Sequence, residues 1–213
     1  MAKSKPWNKP VKGRAPEGAR QRRRVLICCE DSKGSADYLR CFQTDQQRVE
    51  LQVVGTGMNT DSLIQAAIKS EKKAREKKKP YSQVWCVFDG DSFPLKNYAR
   101  AFELAHANNI RTARTNEAFE FWYLLHFDYF DSAISRNQYA KKLSERGLEY
   151  DKADRYVYEK VKANQETAIR NAKRLERHWN DSECKLPERE NPSTNVHKLV
   201  EFLNELADPG KMD

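Results

Sequence analysis

No stretch of this sequence stays apolar for the roughly 18 residues that a membrane-spanning helix requires. Its opening residues, MAKSKPWNKPVKGRAPEG, also lack the apolar centre of a secretory signal. Both absences lead to the expectation of a cytoplasmic protein with no membrane partner. The cysteines Cys28, Cys29, Cys41, Cys86 and Cys184 are odd in number and follow no C-x-x-C pattern. Three of them lie inside apolar runs, so reduced core thiols are expected rather than a disulfide framework. Neither a Walker lysine motif, a G-x-S-x-G elbow nor a Cys/His zinc spacing occurs. Triphosphate hydrolysis on a P-loop, serine-hydrolase chemistry and zinc chemistry therefore lose their usual footholds. No internal repeat is present.

What the chain does have is charge, at 33% of residues, beside 38% apolar residues. That apolar content is too high for a disordered chain and suits one main domain with exposed charged helices. The net charge of +8 is concentrated at one end. Residues 1–24 hold nine basic side chains against Glu17, which leaves 30 basic and 30 acidic residues in 25–213. Residues 1–24 therefore read as a flexible basic arm, in which Arg14, Arg20, Arg22, Arg23 and Arg24 are candidates to contact a nucleic-acid backbone. The competing reading is a solvated basic tail, and Trp7 within it is either a base-stacking or a solvated aromatic. A second basic run, EKKAREKKKP at 71–80, reads as a solvated helix end, because lysines there complement the negative pole of the helix before Pro80.

Apolar runs and helical patterns alternate along the next hundred residues. VLICC (25–29), VELQVVGTG (49–57), VWCVF (84–88) and IRTART (110–115) read as strands. Between them lie helical patterns: Tyr38, Leu39 and Phe42; Leu63, Ile64, Ala67 and Ile68; and Ala99, Phe102 and Ala105. AFEFWYLLHF (118–127) reads as a helix apolar on nearly all sides. Such alternation predicts an α/β fold, a parallel sheet covered by helices on both faces. Residues 25–130 form this core in the sequence reading, and 131–213 form a charged helical extension. The last helix, with Val196, Leu199, Val200, Leu203 and Leu206 along one side, is expected to pack back on the sheet.

In a parallel sheet, ligands bind beyond the carboxyl ends of the strands. Glu30 follows the first strand, and Asp89 and Asp91 follow the third. Three carboxylates are thus expected at one edge, where like charges repel unless a cation lies between them. Oxygen-only ligands in D-x-D spacing suit Mg²⁺ or Mn²⁺. A D-G-D is also a common turn, with Gly90 supplying the backbone freedom and both aspartates solvated. Glu117 and Glu120 are candidates to support the site. Glu117 lies at an expected helix start, where a carboxylate is favoured whatever the function. Glu120, among aromatics, needs a partner: a metal, Arg111 or Arg114. His126 reads either as a phosphate-contacting or proton-carrying group or as a core imidazole.

An acidic residue ending the first strand and D-x-D ending the third resemble the Toprim domain of topoisomerases, primases and OLD-family nucleases. RRRVLICCED, VFDGDSF, TNEAFEFWYLLHF and NPSTNVHKLVEFL, in this order, resemble the RloB/AbiL-type family of bacterial anti-phage proteins over residues 22–207. The aromatic helix with Phe119, Glu120, Trp122, Leu124, Leu125, His126 and Phe127 carries the most specific part of that likeness. The family pattern has Glu-Gly after the first strand, where this chain has Glu30-Asp31, and the second glutamate that usually follows is missing.

The resemblance implies that Glu30 is a general acid/base or indirect metal ligand, that Asp89 and Asp91 hold the metal, and that an ABC-type ATPase is a partner. Two functions follow as expectations. One is a Mg²⁺- or Mn²⁺-dependent nuclease cutting DNA or host RNA in abortive-infection defence. The other is a non-catalytic nucleic-acid-binding or regulatory subunit of an ATPase-containing complex. Arg170, Arg174 and Arg177 in the extension either guide a nucleic acid or form a solvated face.

Overall fold

A computed structural model of the chain describes residues 22–42, 49–90, 95–182 and 190–207, the side chains of 95–98 excepted. Arg14, Arg20, Trp7, Asp91 and Cys184 lie outside the described residues.

The alternating patterns fold as β1 (Arg23–Cys29), α1 (Gly34–Arg40), β2 (Val49–Gly55), α2 (Thr60–Glu76), β3 (Gln83–Asp89), α3 (Leu95–Ala107) and β4 (Ile110–Asn116). The four strands are parallel, and β5 (Ser193–Thr194) adds an antiparallel edge in the order β2-β1-β3-β4-β5. β1 and β3 read as continuous apolar runs because each is covered on both faces. Their side chains alternate between two cores. Val25, Ile27, Cys29, Trp85 and Val87 face one; Leu26, Cys28, Val84, Cys86 and Phe88 face the other. α2 and α3 cover the second face with Leu63, Ile64, Ala67, Ala101 and Ala105. Asn59 caps α2 by accepting the Ser62 N–H at 3.0 Å. Cys28, Cys29 and Cys86 are buried free thiols, as expected from their apolar runs.

The first face takes α1, α4 (Glu120–Leu124), α5 (Tyr139–Ser144), α6 (Val157–Val161), α7 (Gln165–Asp181) and α8 (Val196–Ala207). α8 buries Val196, Leu199, Val200, Leu203 and Leu206 against the sheet, the stripe anticipated from the sequence. The aromatic stretch 118–127 is not one helix. Only Glu120–Leu124 is helical, with turns on either side, so Glu117 precedes the helix and does not share a helical face with Glu120. Arg23 and Arg24, counted with the basic arm in the sequence reading, belong to β1. Among the described residues, no helix is long and apolar enough to cross a membrane.

The strand order reverses direction between β1 and β3: β1 leads through α1 to β2 on one side, and β3 leads through α3 to β4 on the other. Such a reversal opens a crevice at the carboxyl ends of the two central strands. Glu30 and Asp89 stand at that place.

Candidate active site

Glu30 continues the ladder one residue beyond β1, its N–H donating to Val87 O at 2.8 Å. This fixes its backbone beside the end of β3, and its Oε2 accepts the Asp89 N–H at 3.3 Å. Asp89 Oδ1 in turn accepts the N–H of Phe119, the residue before α4, at 3.0 Å. The ends of β1, β3 and the β4–α4 connection are thereby joined through two carboxylates.

Asp31 completes the group from a direction the sequence reading missed. Its Oδ2 accepts the Ser35 N–H at 3.2 Å and its Oδ1 accepts the Ser35 hydroxyl, so it caps the start of α1. Gly34 makes this cap feasible: its φ is +26°, and a Cβ there would meet Asp31 Oδ2 at 2.5 Å. Glu120 Oε1 accepts the Tyr150 hydroxyl at 2.8 Å. Its partner is therefore neither arginine expected from the sequence. Arg114 is buried and pairs with Glu190 at 2.5 Å and Ser193 at 2.7 Å, and Arg111 stacks 5.5 Å from the Trp85 ring.

Burial, with the charge of neighbouring carboxylates, raises the pKa of Asp89, Glu30 and Asp31. Asp89 is pushed up to about 7, by burial first and then by the charges of Glu120, Asp31 and Glu30, with Arg136 opposing. Burial likewise raises Glu30, reinforced by Asp31 and opposed by the Asp89 N–H, Arg136 and Lys152. Asp31 is raised by burial and Glu120, against its bonds from Ser35 and the charge of Lys152. Glu30, Asp31, Asp89, Arg136 and Lys152 line a cleft of about 550 Å³ with Ser35 and residues 57–59.

A surplus of hard oxygen donors in an open cleft matches the chemistry of Mg²⁺ or Mn²⁺. Among the described residues, no three Asp, Glu, His or Cys side chains gather closely enough to enclose an ion. The donors present are carboxylate oxygens, the hard kind that Mg²⁺ or Mn²⁺ prefers, and not the nitrogen and sulfur donors of a closed zinc-type cage.

The remaining sequence candidates have other work. Glu117 Oε2 accepts the Arg136 N–H at 2.8 Å, and its Oε1 lies 3.5 Å from Asn191 Nδ2, so it anchors a loop. His126 is buried in the core: its ring lies 5.1 Å from that of Trp122, its Nδ1 is 3.0 Å from Trp122 O, and burial lowers its pKa to about 4. It is packed as a core imidazole. Arg24 chelates Glu50 through two bonds of 3.0 Å and stacks 4.5 Å from the Tyr81 ring. Arg22 and Arg23 are exposed. In α7, Arg174 stacks 3.8 Å from the Tyr129 ring, while Arg170 bonds Thr167 on its own helix.

In comparisons with known proteins, the model of the RloB-like protein family matches residues 25–203, which include every described member of the acidic edge. No curated protein and no solved structure matches.

Proposed function

The chain belongs to the RloB-like family, and from that premise we propose that it hydrolyses phosphodiester bonds of DNA or RNA at the acidic edge where β1 and β3 end. The observation that carries this reading is the junction of Glu30 and Asp89, a carboxylate seated on the backbone N–H of a second acidic residue at the strand-order reversal. Asp89 and Asp91 would hold Mg²⁺ or Mn²⁺, which supplies charge neutralisation at a phosphate and activation of water.

The chain's own groups do the rest. Glu30 carries an upward-shifted pKa beside the cleft, which brings its proton affinity closer to neutrality and suits it to exchange a proton with the reacting oxygens. Burial and its hydrogen bond to Asp89 fix its orientation before substrate arrives. Asp31 lines the same cleft and holds the start of α1 through Ser35, which keeps the loop after β1 in place. The basic residues preceding β1 add sequence-independent attraction to a nucleic-acid backbone. The likeness to anti-phage proteins noted in the sequence supports a role for this activity in defence, with an ABC-type ATPase as the proposed partner.

Incubating the purified protein with total RNA and with plasmid DNA, in Mg²⁺, Mn²⁺ or EDTA, tests the reading. Cleavage in either metal and none in EDTA is expected. Binding without cleavage in every arm would instead make the chain a non-catalytic nucleic-acid-binding or regulatory subunit.

A further inference from the structure

We infer that Arg136 and Lys152, both in the helical extension, form a phosphate clamp facing the acidic edge, where each contacts the substrate backbone; the inference rests on the phosphodiester reading above. Both side chains are exposed and both line the cleft that holds Glu30, Asp31 and Asp89.

The two segments that bring them there are tethered by carboxylates of the β4–α4 region. Arg136 opens a single 3₁₀ turn, Arg136–Gln138, whose first N–H is held by Glu117 at 2.8 Å. The next residue after that turn, Tyr139, accepts the Glu117 N–H on its hydroxyl at 3.2 Å, which closes the tether from both ends. Lys152 follows Tyr150 by two residues, and the Tyr150 hydroxyl is bonded to Glu120 at 2.8 Å. Glu117 and Glu120 thus each draw in a segment of the extension that carries a cation.

Charge completes the case. Arg136 opposes the upward pKa shifts of Asp89 and Glu30, and Lys152 opposes those of Glu30 and Asp31, so both cations already act on the carboxylates of the cleft. A divalent ion at the edge would take over part of that neutralising role, and both exposed side chains would then serve an anionic ligand across the same cleft. A guanidinium offers paired donors to phosphate oxygens, and an ammonium a compact charge, so a backbone of successive phosphodiesters suits the pair.

Removing a cation beside carboxylates should have opposite effects on the two kinds of ligand, and this separates a clamp from a structural role. The probes are a fluorescein-labelled single-stranded RNA, a labelled DNA duplex and Mn²⁺ alone, measured on Arg136→Ala, Lys152→Ala and the double variant in a Glu30→Gln background. Each substitution should weaken binding of the nucleic acids and lower the slope of log affinity against log salt by about 0.9 on duplex or about 0.7 on single strand. Mn²⁺ should bind as tightly as before or more tightly, and Lys152→Arg should restore nucleic-acid binding. Unchanged nucleic-acid affinity and slope in the double variant, with the parent binding normally, overturns the clamp and leaves the phosphodiester reading intact. Loss of Mn²⁺ binding together with nucleic-acid binding also overturns it, because the residues would then be holding the fold. A wild-type protein that neither binds nor cuts either nucleic acid overturns the phosphodiester reading and the clamp with it.

Discussion

The backbone N–H of Asp89 donates to Oε2 of Glu30 at 3.3 Å, so the residues that end the two central strands are joined main chain to side chain. Each depends on the other: Asp89 orients Glu30, and the charge of Glu30 helps raise the pKa of Asp89. Under the proposed reading, a cation at this junction would relieve that repulsion.

Asp89→Ala should abolish Mn²⁺ binding measured by calorimetry while leaving the circular dichroism unchanged. In the unmodified protein, Mn²⁺ affinity should fall as pH drops below about 7, since the proton on Asp89 then competes with the ion, and binding should release a proton near neutrality. Affinity that is flat between about pH 8 and about pH 5.5, values on either side of the roughly neutral pKa, would detach the ion from Asp89.

Deleting residues 1–21, and so leaving β1 whole, should weaken nucleic-acid binding and flatten its salt dependence, by about 0.9 in slope for each duplex phosphate that the shortened chain no longer neutralises. Equal slopes with and without these residues would remove them from the binding surface.

His126 sets a pH limit on stability. Its folded pKa of about 4 lies below the ordinary value of 6.5, so the unfolded chain takes up the proton first as pH falls. Stability is therefore intact above the ordinary value and declines as pH drops from there toward 4, by up to about 3 kcal/mol once both states are protonated. Denaturant titrations of wild type and His126→Phe should diverge in this direction, the variant losing less over the window. Parallel curves would show that this imidazole is not the titrating group.

Gly55 closes β2 against the loop that carries Asp31. A Cβ there would lie 2.4 Å from Ser32 Cα and 2.7 Å from Asp31 O, a clash with backbone that no rotamer change relieves. Gly55→Ala should cost more than about 1 kcal/mol in urea melts and reduce cleavage by displacing Asp31. An unaltered midpoint would mean that the loop gives way freely.

The sheet and its acidic edge were legible because β1 and β3 are buried on both faces, which forces continuous apolar runs, and because strands of one direction bring Glu30 and Asp89 to one side. β5 was not. Its two residues, Ser193 and Thr194, carry no apolar signal, and the edge of β4 is finished by the side chain of Asn195, which accepts the Arg114 N–H at 2.6 Å and donates to Thr112 O at 3.1 Å. The aromatic run 118–127 misled through composition: its apolar residues fill a core from turns as well as from a helix. Arg136, Tyr150 and Lys152 sit in the stretch that reads as a charged helical extension, and only chain closure brings them to the edge. Asp31 was visible in the sequence as a departure from Glu-Gly, yet its place in the acidic group follows from the Ser35 cap, which spacing alone does not reveal.

The most direct measurement is the cleavage rate of total RNA and plasmid DNA by Glu30→Gln against wild type, in Mn²⁺, with nucleic-acid affinity recorded beside it. The amide keeps the size and hydrogen-bonding reach of the carboxylate and loses its titrating proton. The account predicts a rate lower by a factor of roughly 100 or more at little-changed affinity, the scale for removing a general acid or base. Equal rates for the two proteins would contradict it.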